Sequence, residues 1–113
     1  MSNFTTLEVA KKIETILDDK IAQDIRVLDL QGLSNIADFF VIANGNTASH
    51  LRALADDLDE KLKADGIKVF HTEGYNSGTW ILLDFGGVLV HLFNKEQREF
   101  YGLDRIWSDA KLV

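Results

Sequence analysis

The amino-acid sequence predicts an α/β fold in which helices flank a mixed β-sheet. Two apolar runs, Trp80 to Phe85 and Val88 to Phe93, surround Gly86-Gly87 and predict an antiparallel hairpin, because glycine accepts the positive φ of a two-residue turn. An amphipathic stretch over 51–62 follows the apolar run 38–43, which is typical of a helical crossover between parallel strands. Parallel and antiparallel pairs in one sheet make that sheet mixed.

The first helix and the first two strands follow directly from the pattern. Thr5 with Glu8 three residues later forms a capping box, and apolar residues then recur at helical spacing up to about Lys20. The run 25–30 predicts the first strand. The run 38–43 predicts a second strand that is apolar enough to lie in the middle of the sheet.

The helix over 51–62 is the clearest in the chain, since its leucines form one stripe opposite a charged face. Asn46 or Thr47 can cap its start, and Gly66 is its expected end. Residues 67–70 then predict a third strand, which precedes the hairpin.

A short last helix is expected after the hairpin. Asn94 can cap it, with Gln97 at the third helical position, and Gly102 ends it before a tail that holds Ile106 and Trp107. The predicted order of elements is therefore αββαβββα in a single domain over residues 1–113.

The two-residue turn fixes the register of the hairpin, which places Trp80 opposite Phe93 and Leu82 opposite His91. One face of the hairpin is wholly apolar and is predicted to be core: Ile81, Leu83, Phe85, Val88, Val90 and Leu92. The other face is mixed: Trp80, Leu82, Asp84, Leu89, His91 and Phe93. Two interpretations of this mixed face stay open: either a helix covers it and Asp84 hydrogen-bonds His91, or it binds a partner protein.

A polar loop over 72–78 is predicted before the hairpin, and most of its residues are those that turns require. Tyr75 is the exception in this loop. A tyrosine there can either contact a partner or pack on its own loop, and the sequence does not separate the two.

Composition limits the classes of partner. The 113 residues include 18 acids and 12 bases, a net charge of −6, so the chain lacks the clustered Lys and Arg that bind nucleic acid. A basic protein partner fits this charge better. The chain has no cysteine, which excludes disulfides and thiol catalysis, and it has neither an apolar run of membrane-spanning length nor a presequence pattern. We expect it to be cytoplasmic.

No arrangement of residues predicts catalysis with any strength. Asp29, Asp38 and Asp84 lie near strand ends, where a two-metal phosphoryl-transfer site could use them, but no glycine-rich phosphate loop with a lysine accompanies them. The three histidines are far apart in the sequence. We expect His50 to be a structural hydrogen-bond partner, His71 to lie at the surface, and no metal or cofactor to be bound.

Several segments in the correct order closely resemble the ribosomal silencing factor family (RsfS, also called the Iojap or YbeB family). They are 28–30 with Gly32, 38–43 with Gly45 and His50, Glu73-Gly74, 80–86, Val90-His91, and 98–103 with Trp107. The resemblance implies a nucleotidyltransferase-like fold without catalysis, and a protein that is often a homodimer. It further implies binding to the large ribosomal subunit through ribosomal protein L-fourteen, which blocks the small subunit and represses translation when nutrients are short.

Two other functions remain as alternatives at this point. The first is a nucleotidyltransferase-fold enzyme that acts on a nucleotide substrate, and the second is a structural module whose mixed face pairs with a second copy of the chain.

The resemblance also transfers binding residues to this sequence: Glu73, Trp80, Leu83, Asp84 and His91, with Tyr75 and Asn76 as neighbours. Leu83 is the weakest of these, because the register places it on the core face. The chain departs from the family pattern at two positions. Gly87 stands where an acid is common, and Asn44 stands where Thr or Ser is usual.

Overall fold

A computed structural model describes residues 4–113, and none of the helices in that range is long and apolar enough to cross a membrane. Its elements in chain order are α1 Thr6–Asp19, β1 Gln23–Asp29, β2 Phe39–Asn44, α2 Ala48–Ala64, β3 His71–Glu73, β4 Trp80–Asp84, β5 Val88–Phe93, α3 Lys95–Tyr101, α4 Leu103–Ile106 and β6 Lys111–Leu112.

The strands form one sheet in the order β3-β4-β5-β2-β1-β6. β2 and β5 are parallel, whereas the other neighbouring pairs are antiparallel. The chain leaves β2 through α2 before it returns to the hairpin, so α2 belongs to the crossover that a parallel pair requires. The predicted fold class, a mixed sheet flanked by helices, is confirmed. The likeness to nucleotidyltransferases stays a prediction.

The hairpin register is confirmed at every pair from Trp80 and Phe93 to Asp84 and Leu89. The turn closes with a hydrogen bond of 2.9 Å from the Phe85 amide to the Val88 carbonyl. Gly86 has a φ of +87°, as the first central residue of a type II′ turn requires. The alternation of side chains along β4 and β5 then follows from the pleat.

The predicted helix starts are confirmed by their caps. Thr5 and Glu8 form the capping box of α1, and Thr47 rather than Asn46 caps α2. His50 has the structural role that we expected: its Nδ1 accepts from the Asn46 amide at 3.0 Å, and its Nε2 donates to the Lys20 carbonyl at 3.0 Å. This imidazole therefore ties the start of α2 to the end of α1.

The two faces of the sheet are covered differently. Helices α1 and α2 pack on the predicted core face, whose hairpin residues are all buried. The C-terminal segment packs on the opposite face, where Leu103 and Trp107 contact a second apolar cluster around Phe40, Ile42 and Phe93. This segment covers the half of the face formed by β1 and β2 and leaves much of the β4 side open. The interpretation in which helical residues cover the mixed face is thus confirmed for half of that face, and partner binding by the other half stays a prediction.

The third strand was predicted in the wrong place. Residues 67–70 form no strand, although the Phe70 amide donates to the Asp84 carbonyl at 2.7 Å, and the strand lies at His71–Glu73, which overlaps the loop predicted over 72–78. All three residues of this edge strand are exposed, so it has no apolar alternation to reveal it. The short elements α4 and β6 were also not predicted, because two to four residues are too few to show a period.

Candidate functional site

The β4 side of the mixed face keeps a partly exposed surface. Residues opposite each other on neighbouring strands share a face, so the register brings Glu73 of β3 beside Leu82, and Asp84 beside Leu89. Trp80, Leu82, Asp84 and Leu89 are half-buried, and Glu73 is exposed. We call these five residues the Trp80 surface.

The Trp80 indole is held by aromatic rings and one hydrogen bond. Its centroid lies 4.8 Å from the Phe93 ring and 4.5 Å from the Tyr101 ring. Its Nε1 donates to Nδ1 of His91 at 3.2 Å. A large side chain that is fixed in one orientation and still partly exposed is the usual form of an anchor residue in a protein interface.

His91 lies beneath the indole rather than at the surface. It is 6% exposed, and the Phe40 ring packs on it at a centroid distance of 4.6 Å. Burial lowers the pKa of this imidazole to about 4, so it is neutral at neutral pH. The hydrogen bond between Asp84 and His91, which one of the two interpretations included, is not formed: Nδ1 of His91 accepts from the Trp80 indole, and Asp84 accepts from the Gly86 amide.

The acidic side chains of the Trp80 surface lie toward the edge of the sheet. Asp84 accepts from the Gly86 amide through Oδ1 at 2.8 Å, which holds the carboxylate at the hairpin turn. Glu73 Oε1 lies 2.9 Å from Nε2 of His71, which is exposed as the sequence predicted. Two carboxylates beside an aromatic anchor suit a partner that presents Lys or Arg.

A hydrogen bond between Tyr75 and helix α2 anchors the loop before β4. Tyr75 is half-buried, and its hydroxyl donates to both carboxylate oxygens of Asp56 on α2, at 2.9 and 3.0 Å. This hydrogen bond raises the pKa of the Tyr75 phenol. Tyr75 therefore contacts α2 as well as its own loop and is not free in solvent. The neighbouring Asn76 is exposed.

Leu83 does not reach the Trp80 surface. Its side chain points to the opposite face and is 1% exposed in the core beneath α1 and α2. A partner cannot touch this side chain while the sheet is intact, so the transfer of a contact role to Leu83 is corrected here. The hairpin register had already placed it on the core face.

Helix α3 borders the Trp80 surface and carries two aromatic residues that our sequence analysis did not select. Tyr101 packs on Trp80 with the ring planes tilted by 49°, and Phe100 packs edge-on against Tyr101 at a centroid distance of 5.2 Å. Phe100 is 76% exposed, which is unusual for a large aromatic side chain. The segment 98–103 is among those that resemble the family, but only the packing of α3 shows that its two aromatic rings continue the surface around Trp80.

A buried arginine sets the position of α3. Arg98 donates to Asp104 through Nε at 3.3 Å and Nη2 at 3.0 Å. Its Nη1 donates to the Asp24 carbonyl and, at 3.1 Å, to Oδ1 of Asn44. Partial burial raises the pKa of the Asp104 carboxyl, but the hydrogen bonds and charge of Arg98 outweigh this effect and lower that pKa overall. Asn44 supplies an acceptor here, as a Thr or Ser hydroxyl also can.

The second departure from the family pattern, Gly87, lies in a crowded place. A Cβ at this position would come within 2.5 Å of Cγ2 of Thr6 and 3.3 Å of Oδ2 of Asp38. The Gly87 carbonyl also accepts from the amides of Asp38 and Phe39. A glycine here therefore lets the hairpin turn pack directly against the start of α1.

The three acids near strand ends do not form a common site. Asp29 accepts from the Gln31 amide, Asp38 accepts from the Thr6 hydroxyl, and Asp84 accepts from Gly86. Within residues 4–113, no group of three or more His, Asp or Glu side chains lies close enough together to hold a metal ion. Each of these carboxylates instead fixes a turn or a helix start.

Comparisons with known proteins identify the family. The family model described as "Ribosomal silencing factor during starvation" matches residues 3–113. A relative from Bacillus subtilis, "Ribosomal silencing factor RsfS", is 41% identical over 96 residues, which cover 85% of this chain and 81% of that protein. A mouse relative, "Mitochondrial assembly of ribosomal large subunit protein 1", is 31% identical over 83% of this chain and 42% of its own length.

Solved structures show the same fold. A crystal structure of a protein from Chromobacterium violaceum superposes with a TM-score of 0.90 at 30% identity and covers 93% of this chain and 88% of its own. Sequence and fold thus agree over nearly the whole length. The chain belongs to the ribosomal silencing factor family.

Proposed function

We propose that this chain binds the large ribosomal subunit through ribosomal protein L-fourteen, prevents the small subunit from joining and so represses translation when nutrients are short. The names of the Bacillus relative and of the mouse relative support a ribosomal partner and, for the mouse relative, the large subunit. The observation that carries the proposal is the Trp80 surface, where a fixed, half-buried indole lies beside two acids on the open part of the sheet.

The charge of the chain favours a protein as the docking site on the ribosome. A ribosome is largely polyanionic RNA, which repels a chain of net charge −6. Glu73 and Asp84 can instead pair with Lys or Arg of a basic ribosomal protein, while Trp80 fills a depression on it. Opposite charge also raises the rate at which the two proteins meet. The proposed interface therefore consists of Trp80 as the anchor and acidic residues as its rim.

The proposed activity is steric and not catalytic. The strand-end carboxylates hold turns or the start of α1, and their positions suit this structural task. We propose that the chain acts in the cytoplasm, where ribosomal subunits join, and that its single domain blocks this joining simply by occupying space.

In the absence of ribosomes, we propose that the chain forms a homodimer through the same surface. Trp80 and its neighbouring aromatic rings would then be covered by a second copy, so dimerisation and ribosome binding would compete. Light scattering after gel filtration tests this point: Trp80→Ala should shift the dimer to the monomer at equal protein concentration.

Sucrose-gradient sedimentation of purified subunits tests the main proposal. With the chain present, it should migrate with the large subunit, and the peak of joined particles should shrink in proportion to the chain added. Trp80→Ala should remain at the top of the gradient and leave the joined particles intact. Migration with the small subunit, or joined particles unaffected by saturating chain, would contradict the proposal.

A further inference from the structure

Trp80 and His91 are diagonal neighbours on β4 and β5, and the hydrogen bond between them has a fixed direction. Nε1 of indole can only donate, so Nδ1 of His91, 3.2 Å away, is the acceptor and carries no proton. The imidazole is neutral, and its proton therefore lies on Nε2. This tautomer follows from the hydrogen bond, since the proton position is set by the partner of the other nitrogen.

The same tautomer leaves a buried donor without a partner. Nε2 of His91 is buried and has no hydrogen-bond partner among residues 4–113. A buried N–H without an acceptor lowers the stability of the folded chain, whereas an apolar ring of similar shape at this position would avoid the penalty. For the stability of the fold alone, phenylalanine would be the better residue here, because aromatic rings surround His91 on several sides.

The advantage of a histidine must then lie in its acceptor. Without Nδ1, the indole N–H would lose its partner, and Trp80 would be held only by the rings of Phe93 and Tyr101. These ring contacts, tilted by 32° and 49°, do not fix the rotation of the indole in its plane, because neither of them is a directional hydrogen bond. The hydrogen bond removes this freedom and thereby the ordering cost that binding would otherwise include.

We propose that His91 is a positioning residue for the partner-binding surface: its Nδ1 fixes the Trp80 indole in the orientation that the ribosomal partner recognises, at the expense of an unpaired buried N–H. This inference rests on the proposed function. It also assigns to His91 a role different from direct contact, since a residue that is 6% exposed lies beneath Trp80 and out of the partner's reach.

Two substitutions separate this role from a merely structural one. His91→Phe keeps a ring in the pocket, removes the unpaired N–H and removes the acceptor. His91→Asn keeps an acceptor at the δ1 position and loses ring packing. We expect His91→Phe to melt no lower than the wild type and yet to bind purified large ribosomal subunits about tenfold more weakly, the usual scale for one hydrogen bond. We expect His91→Asn to melt lower and to bind within about threefold of the wild type.

A readout without ribosomes tests the hydrogen bond itself. In ¹H–¹⁵N NMR spectra, the indole N–H resonance of Trp80 should move upfield and exchange faster with solvent in His91→Phe, and should stay near its wild-type position in His91→Asn. The indole of Trp107, which packs on Phe40, serves as the internal reference.

The outcomes distinguish the two proposals. If Trp80→Ala abolishes ribosome binding while His91→Phe binds like the wild type, the positioning role is wrong and the proposed interface stands. The positioning role is also overturned if the Trp80 resonance does not change in His91→Phe, or if affinity simply follows melting temperature across the variants. If Trp80→Ala itself binds normally, the proposed interface fails, and with it the role of His91 in recognition.

Discussion

Arg98 and Asp104 form a two-point ion pair in which Nε and Nη2 donate to the two carboxylate oxygens at 3.3 and 3.0 Å. The pair links α3 to α4, and the third nitrogen of Arg98 continues to the ends of β1 and β2. One side chain thus fixes the helix that carries Tyr101 and Phe100 beside Trp80. Arg98 is also the only buried residue of α3.

Replacement of Arg98 should therefore unfold the C-terminal part of the chain more readily. We expect Arg98→Ala to lower the free energy of unfolding by about 3 kcal/mol, toward the low end for a broken buried ion pair because Asp104 still touches solvent. Arg98→Lys should recover less than half of this loss, since an ammonium group cannot form the paired fork. Urea unfolding measures both, and full recovery by lysine would show that charge alone suffices.

Trp80 should dominate the affinity for the ribosomal partner. We expect Trp80→Ala to weaken binding to isolated ribosomal protein L-fourteen by about 2 kcal/mol or roughly 30-fold, the usual scale of an aromatic anchor. Calorimetry measures the dissociation constant, and circular dichroism verifies the fold of the variant. An unchanged dissociation constant with an intact fold would remove Trp80 from the interface.

Phe100 offers a test with a matched control elsewhere on the chain. Phe100→Ser should weaken binding to L-fourteen by about 1 kcal/mol, or roughly fivefold, because the ring extends the aromatic surface beyond Tyr101. Phe70 is equally exposed, 75% against 76%, but lies beside Phe85 on the other face of the sheet. Phe70→Ser should leave the affinity unchanged. Equal losses in both variants would indicate a nonspecific effect of surface apolarity.

Burial of His91 should make stability depend on pH in a defined window. The folded chain has a His91 pKa of about 4, against an ordinary value of 6.5, so between these values the unfolded chain binds a proton that the folded chain does not. The contribution of His91 to the free energy of unfolding is therefore fully present above about pH 6.5, and it falls by about 3 kcal/mol as the pH is lowered to 4. The measurement is urea unfolding of the wild type and of His91→Phe at several pH values.

The comparison of the two proteins isolates the histidine, because carboxylates titrate in both. Their difference in unfolding free energy should be constant above pH 6.5 and should change by about 3 kcal/mol in favour of the variant toward pH 4. Parallel pH profiles over this range would show that His91 titrates normally in the folded chain.

Much of the fold was predictable because its signals are local. A two-residue turn and strict alternation determine the pairing of Trp80 with Phe93, since a slip by one residue would expose the apolar face. The capping box of α1, the Asn94 cap of α3 and the final Gly102 marked these helix ends equally well. The edge strand at His71–Glu73 escaped because backbone hydrogen bonds alone place it in the sheet, and they leave no apolar pattern.

The candidate site was predicted only in part. The sequence places Trp80, Asp84 and His91 on one face, but it does not reveal that the hydrogen-bond partner of His91 is the Trp80 indole and not the Asp84 carboxylate. That choice depends on side-chain rotamers and on the packing of Phe40, which comes from another part of the chain. The contribution of α3 was missed for the same reason, since Arg98 binds Asp24 and Asn44, which are far from it in the sequence.

The sequence by itself determined the class of the fold, the hairpin register, the acidity of the chain and its resemblance to a family, because each depends on residue type and short-range spacing. Only the tertiary structure decided which half of the mixed face stays open, which residue supports Trp80, and which residues are too deep to be touched. Those features arise where distant segments pack together, and burial and hydrogen-bond partners exist only after that packing has formed.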